Sequence, residues 1–508
     1  VYKSWKGGIV NESIRSRVIW PLGLAFAICC AVSLIPVSSF GQITFERTYG
    51  GGFSDVAHSV VQTLDGGYAI AGFTWSSGAG VSDVYLIKTD SLGSVLWDST
   101  YGGISYDVGY SLQQTSDGGY VITGYTRSSG AGLSDVYLMK TDSLGNTLWD
   151  TTYGGDSIDI GNSVVQTSDG GYIIAGETQS IDPGISDVYL IKTDSLGSVV
   201  WEMTYGGASD DLGYSVQQTS DGGYIIAGLT YSFGTSGGDV YLIKTDSLGG
   251  VVWDTTYGGI LYDAGHSVQQ TSDDGFIIGG HTSSFGAGLG DVYLIRTDSL
   301  GTVLWDTTHG GDSSDVGLSV VQTLDEGYVV AGYTWSFGSS EYDVYIVKTD
   351  SLGSVLWERT YGDSVDDRGY AVQQTVDGGY IVAGYTRSMG AGVNDVYLIK
   401  TDANGMVVGL EEQGSTFKVE GSRAKLLQNM PNPFLGSTVI TYSLPVPGRV
   451  KLQIYDVSGR FVETLVDEEQ VAGIYAFRWE AADKATGMYF CRLEASDFTD
   501  AKKMILLR

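Results

Sequence analysis

The sequence predicts an all-β protein whose main body is a seven-bladed β-propeller. Three observations carry this. The triplet Asp-Val-Tyr begins at Asp83, Asp135, Asp187, Asp239, Asp291, Asp343 and Asp395, each 52 residues after the last, with no insertion or deletion. A fixed period in this range marks a propeller or a solenoid. Each period also divides into four short apolar runs separated by Gly-rich turns. Finally, the pattern that ends each repeat also stands before the first one and decays after the last.

In the second repeat the runs are Tyr110–Thr115, Tyr120–Tyr125, Asp135–Thr141 and Thr147–Tyr153, here called strands a, b, c and d. Between a and b lies SDGG, Ser116–Gly119, whose Asp-Gly and Gly-Gly pairs predict a two-residue hairpin loop. Between c and d lies a second hairpin turn, DSLG at Asp142–Gly145. The runs are almost continuously apolar, as in sheets covered on both faces. Four-stranded blades stacked radially meet that condition.

The two ends of the array predict a closed ring. Ile43–Gly51 (ITFERTYGG) matches the d strand at Val355–Gly362 (VLWERTYG), and Phe45 stands 52 residues before Trp97. In the last repeat DSLG becomes DANG at Asp402–Gly405, and Gly409 takes the Trp position. Residues 43–49 are therefore expected to pair with Val396–Thr401 and to supply strand d of the last blade, leaving no free edge. An open solenoid would instead need capping repeats.

The flanking segments differ in kind. Residues 1–41 read as a signal peptide: Lys3, Lys6, Arg15 and Arg17 precede an apolar run, Ile19–Ile35, and Ser39-Phe40-Gly41 offers a cleavage site. Removal of this segment would leave no membrane span. The propeller is assigned to 42–409 and a polar linker to 410–424. A second domain, 425–508, has strand patterns at Thr438–Leu444, Val450–Asp456, Phe461–Val466, Ile474–Trp479, Met488–Leu493 and Lys503–Leu507, the spacing of a small Ig-like β-sandwich.

Composition narrows the function classes. The formal net charge of −31 disfavours nucleic-acid partners, because neutralising phosphates requires Lys and Arg. The 74 glycines with 7 prolines fit many tight β-turns. Of the three cysteines, Cys29 and Cys30 lie in the apolar leader, so the mature chain keeps Cys491 and has neither a disulfide framework nor a Cys-based zinc site.

Residues 425–508 resemble the type A sorting domain of the type IX secretion system, which is similar in fold to the Ig-like part of the flagellar hook-capping protein. The residues that carry this are Asn432-Pro433-Phe434, Ile440–Pro445, Ile454–Arg460, Ala472–Tyr475, Trp479, Gly487–Phe490 and Lys502–Met504. The resemblance implies export across an outer membrane, the secretion machinery as partner, and release from or attachment to the surface of a Gram-negative-type bacterium. The repeat itself resembles bacterial β-propeller repeats of secreted proteins. Asp142, Gly145 and Trp149 are spaced like the quinoprotein motif that secures one blade to the next. That likeness implies fold alone, since no vicinal Cys pair remains in the mature chain.

Candidate sites come from comparing the repeats with one another. The a–b and c–d turns stay nearly constant. The d–a loops (52–54, 104–106, 156–158, 208–210, 260–262, 312–314 and 364–366) and the b–c loops vary. In an up-and-down blade these two loops emerge on one face, which is where a repeat scaffold presents ligand contacts. The candidate contacts are Trp75, Arg127, Tyr231, Trp335 and Arg387 in the b–c loops, with Tyr106 and Tyr262 in the d–a loops. Rings with charged neighbours suit a glycan; packing between blades would use the same rings. The evenly repeated Trp97, Trp149, Trp201, Trp253, Trp305 and Trp357 read as blade-docking residues.

The aspartates that open strand a (Asp55, Asp107, Asp159, Asp211, Asp263, Asp315 and Asp367) are expected to accept backbone N–H bonds. Calcium would sit best at Asp210-Asp211 or Asp366-Asp367, although no DxDxDG run exists. No HExxH or GxSxG occurs. His58 and His266 share one repeat position and read as structural. The expected function is non-catalytic binding of a glycan or a surface protein. The alternatives are a secreted polysaccharide-active enzyme, a glycosidase or lyase with paired carboxylates, and a purely structural surface component.

Overall fold

The structure is a computed structural model. It describes residues 43–181, 184–407 and 425–507, the last without 427–428, 430–431, 433, 436, 445–447, 471–472, 482–483 and 496–497. The expected signal peptide and the linker at 410–424 lie outside the described residues.

Each repeat forms one four-stranded antiparallel sheet, and there are seven. The a strands are Asp55–Gln62, Asp107–Gln114, Asp159–Gln166, Asp211–Gln218, Asp263–Gln270, Asp315–Gln322 and Asp367–Gln374. The b strands are Tyr68–Thr74, Tyr120–Thr126, Tyr172–Thr178, Tyr224–Thr230, Phe276–Thr282, Tyr328–Thr334 and Tyr380–Thr386. The c strands are the seven-residue runs that start at Asp83, Asp135, Asp187, Asp239, Asp291, Asp343 and Asp395. The d strands are Val95–Tyr101, Thr147–Tyr153, Val199–Tyr205, Val251–Tyr257, Val303–His309 and Val355–Tyr361. Blade 7 takes its d strand from the N-terminal side: Phe45–Tyr49 pairs antiparallel with the last c strand, Phe45 opposite Lys400 and Tyr49 opposite Val396.

Strand a begins three residues earlier than the apolar run indicates, at Asp107 rather than Tyr110. The Asp107 carboxylate is buried and takes hydrogen bonds from Ser128 Oγ at 2.6 Å, from the Gly103 N–H at 2.7 Å, and from Thr126 Oγ1. The carboxylate thus accepts from hydroxyls as well as from the backbone.

The a–b hairpin is longer than the expected two-residue loop. Gly118 N–H donates to Thr115 O and Thr115 N–H to Gly119 O, at 2.8 and 2.9 Å. Only Gly118 is left-handed, at φ +83°, giving a tight turn followed by one left-handed residue. Asp117 braces it: its carboxylate receives Thr115 Oγ1, the Gly119 N–H and Lys140 Nζ. The next position needs glycine for space, because a Cβ on Gly119 would overlap the Thr141 carbonyl oxygen.

The core lies between blades. Each b strand packs on the a strand of the next blade, and the last b strand packs on the first a strand, which closes the ring. The d-strand tryptophans, from Trp97 to Trp357, set an edge against the first b-strand ring of the next blade at 5.6–6.0 Å. Phe45 does the same to Tyr68 at 6.0 Å. The left-handed glycine of the next c–d turn covers the indole: a Cβ on Gly145 would come within 2.7 Å of Trp97.

The C-terminal part, described by itself, is a two-sheet β-sandwich. One sheet joins Lys425–Leu426, Ser437–Leu444 and Gly473–Glu480. The other orders Phe434–Leu435, Phe498–Leu507, Gly487–Ala495, Gly448–Asp456 and Phe461–Gln470. All six expected strands are present, and two short pieces, 425–426 and 434–435, are additions. Trp479 is the centre of the core, packed on Tyr489 at 5.1 Å and Phe434 at 5.8 Å. The Asn432 amide bridges the last strand, donating to Lys503 O at 2.9 Å and accepting from Ile505 N–H at 2.8 Å. Cys491 is a free buried thiol, pushed up to about 12 by burial. Among the described residues no helix is long and apolar enough to cross a membrane.

Candidate functional site

A register break positions the site. In every blade the a–b pairing shifts by one residue, as between Ala57 and Ser59. The extra residue is His58, Tyr110, Asn162, Tyr214, His266, Leu318 or Tyr370. A bulged residue loses its ladder partner and its side chain is re-aimed. Here the bulged side chains meet their counterparts on neighbouring blades: His58 lies 5.0 Å from Tyr110 and 4.9 Å from Tyr370, and Tyr214 lies 5.0 Å from His266. They ring the central axis about 10 Å below the variable loops, three strand steps from the start of strand a.

Above this floor stands a wall of b-strand residues: Phe73, Tyr125, Glu177, Leu229, His281, Tyr333 and Tyr385. Tyr110 touches Tyr125, and Tyr370 touches Tyr385, at 5.9 and 6.0 Å. The loops supply the rim. The structure brings Arg127 over Tyr106 and Tyr125, 5.7 Å from each ring, and sets Tyr231 6.3 Å from Tyr262. Trp75 lies beside Phe73 at 6.3 Å, and Trp335 beside Tyr342 at 5.1 Å. Trp75 and Trp335 are each about half exposed and stand on different blades. Arg387 is exposed on blade 7. The candidates are thus distributed round one funnel.

The charged groups of the mouth were not among the sequence candidates as a set. Arg368 lies 4.5 Å from both the Tyr333 and the Tyr342 rings, and its Nε donates to Asp366 at 2.9 Å. Tyr385 Oη donates to the other Asp366 oxygen at 2.6 Å. Burial raises the Glu177 carboxyl above the usual range, with Asp210 adding to the effect and a hydrogen bond from Ser186 opposing it. His266 Nε2 and His281 Nδ1 are 3.0 Å apart, and their rings stack. Burial first, then the neighbouring imidazole, pushes His266 down to about 3; burial pushes His281 down to about 4. His58, packed among Phe73, Tyr110 and Tyr370, is pushed down to about 4 by burial. His58 and His266 therefore sit in the floor as neutral rings.

The calcium candidates accept hydrogen bonds from the protein, while the buried Oδ1 of Asp211 has no partner. Asp211 accepts from Gly207 N–H at 2.8 Å and Ser232 Oγ at 2.7 Å, and Asp367 from Asp363 N–H at 3.0 Å and Ser388 Oγ at 2.6 Å. Asp210 takes the Ser186 N–H at 2.9 Å. Among the described residues no cluster of three or more His, Cys, Asp or Glu is placed to hold a metal.

Comparison with known proteins adds the export function. The model of the secretion system C-terminal sorting domain matches 430–507. Residues 430–507 are a sorting domain. The protein is secreted through the type IX system to the outside of the cell or its surface. A Caulobacter vibrioides protein described as regulatory protein FlaEY is 24% identical over 253 residues, 45% of this chain. The chain spans only 24% of that relative's length. Among solved structures, Sqt1 from Chaetomium thermophilum is 12% identical with a TM-score of 0.41, over 67% of this chain and 82% of that one. The Neurospora crassa Pan2 WD40 domain is 9% identical with a TM-score of 0.33, over 57% and 88%.

Proposed function

We propose that this secreted propeller binds a glycan, without chemistry, in the funnel on its variable face. The observation that supports this most directly is the set of aromatic rings that six of the seven blades contribute to floor, wall or rim, with polar groups set among them. Aromatic faces cover the C–H surfaces of a sugar, while Tyr hydroxyls, Glu177 and the arginines take its hydroxyl groups. Few polar groups in a mostly apolar concavity is the usual composition of a small-ligand site. The sorting domain delivers the propeller to where polysaccharide is met.

The test is binding of the full chain to a glycan array, with and without a chelator. The expected result is binding that survives chelation and is lost in Trp75→Ala or Trp335→Ala. Loss with the chelator alone would reassign the site to calcium. Absence of binding to every glycan would leave a protein partner or a structural role.

One observation favours a second reading, a polysaccharide-active enzyme. Glu177, raised above the ordinary carboxyl range and set in the mouth, has the character of a general acid. Release of reducing ends from a bound polysaccharide, abolished in Glu177→Gln, would favour the enzyme over the lectin.

A further inference from the structure

The distribution of positive charge narrows the class of glycan, an argument that rests on the glycan reading above. On every blade the c-strand cation, from Lys88 to Lys400, is held against the a–b turn aspartate on the opposite face. Arg47 and Arg359 lie on outer d strands. The propeller's other cations are Arg127, Arg368 and Arg387, and all three stand at the funnel mouth. They belong to blades 2 and 7, on either side of blade 1.

Arg368 is neutralised by Asp366. Arg127 and Arg387 are exposed, and neither has a carboxylate partner among the described residues. Five loops of this sector (52–54, 75–82, 104–106, 127–134 and 387–394) contain no Asp or Glu, and the sixth, entering blade 7, holds Asp366, which is paired with Arg368, beside an exposed Asp363. The acids Asp156, Glu177 and Asp210 fall on the other side, around blades 3 and 4. The mouth is therefore polarised within a chain of net charge −31. Charges beyond about 8 Å are screened at physiological salt, so the local arginines govern what approaches them. Guanidinium groups pair with carboxylates and other oxyanions in a bidentate fork. Trp75, on the blade between them, offers a half-exposed ring.

We infer that the sector of blades 7, 1 and 2 binds an acidic polysaccharide, with anionic groups on Arg127 and Arg387 and a sugar face on Trp75. The shared chemistry is an oxyanion, either a uronate carboxylate or a sulfate ester. An acidic protein has no general affinity for a polyanion, so any such binding reports a local site.

Affinity electrophoresis of the full chain in gels containing polygalacturonate, sulfated dextran or neutral dextran tests this. Retardation by one of the first two, weakened by salt, is expected, and it identifies the anion. Arg387→Gln and the pair Arg127→Gln with Arg387→Gln should weaken that binding by about tenfold or more. Arg387→Gln removes a side chain that touches no ring or carboxylate, so its fold is kept; the urea midpoint of the pair checks the same. Undiminished binding of the acidic polymer by the double variant overturns the inference. So does neutral binding that is lost only in Trp75→Ala, which would leave the broader glycan reading standing. No retardation by any polymer overturns both.

Discussion

The Val376 backbone N–H donates to Oε1 of Gln62 at 2.9 Å, joining residues 314 positions apart. The same bond runs round the ring, from Leu64 to Gln114 and on to Leu324 and Gln374. At this seam one rung is missing. A serine hydroxyl of each preceding blade accepts an N–H of the next, as Ser59 does from Leu112 and Ser319 from Val372. At blade 7 the residue is Ala371. Ala371→Ser should supply an acceptor for Val60 and stabilise by about 1 kcal/mol. Phe45→Ala, which removes the buried ring that docks the closing strand, should cost about 3–5 kcal/mol. Urea titration of the full chain, followed by tryptophan fluorescence, measures both.

Two blades carry strain in the a–b turn. Where other repeats place a left-handed glycine, blade 5 has Asp274 and blade 6 has Glu326, both at φ +64°. A side chain in this region costs about 1 kcal/mol, less for Asp than for Glu. Glu326→Gly should raise stability by up to about 1 kcal/mol, and Asp274→Gly by less. Gly119→Ala should lose more than either gains, because its obstacle is the Thr141 carbonyl rather than a dihedral angle. The ranking of the three urea midpoints decides whether φ or space governs each position.

Blade number, strand order and the closing strand were legible because inter-blade packing repeats the same residues at the same positions. Phe45 could be matched to Trp97 by spacing alone. The depth of the funnel was not read. The signal was present: Gly109, Gly161, Gly213, Gly265, Gly317 and Gly369 sit inside strand a, where glycine marks a bulge. The residue after each glycine varies from Tyr to Asn to Leu to His, as the loops do. Variation inside a strand looked structural because a regular pleat would bury it. The shift in register sends it to the axis instead. The seating of Arg368 against the Tyr333 and Tyr342 rings depends on contacts between blades 6 and 7, which no local pattern reveals.

His309 stands where all six other d strands end in a tyrosine that bonds the next blade, Tyr49 of the closing strand among them, donating to Gly93 O at 2.6 Å. Tyr101, Tyr153, Tyr205 and Tyr257 donate to glycine carbonyls of the following c–d turn at 2.5–2.7 Å, and Tyr361 does likewise. His309 is buried, and its Nε2 has no partner. His309→Tyr should place a hydroxyl against Gly353 O and stabilise by about 1–2 kcal/mol. Tyr257→His should cost a similar amount. If the two substitutions shift the urea midpoint in the same direction, the bond does not account for the position.

Acid should destabilise the propeller before most of its carboxylates titrate. His58, His266 and His281 are held neutral, pushed down to about 4, 3 and 4, with burial the first cause for each. The unfolded chain has imidazoles near 6.5 and so binds more protons over this interval. Their contribution is complete above about pH 6.5 and is lost as the pH falls toward 4. Asp291, raised to about 6 by burial and then by Asp315, acts in the opposite sense, because the folded state takes up its proton first, and so do Glu177, Asp343 and Asp395, which burial raises. For Asp117 burial raises the pKa, but hydrogen bonds from Thr115, Gly119 and Lys140 outweigh it and hold the carboxyl at about 2, so its contribution fades only below about pH 4. A tenfold change in a group's proton affinity on folding corresponds to about 1.4 kcal/mol, so the large downward shifts of three histidines, with His309 also lowered by burial, outweigh Asp291 and the smaller rises of the other three carboxyls. The urea midpoint should therefore fall from neutral pH to about pH 5. His58→Tyr, the residue that Tyr110 and Tyr370 place at this position, should make that fall smaller. An unchanged pH dependence in His58→Tyr would mean that His58 takes its proton as readily in the fold as in the unfolded chain.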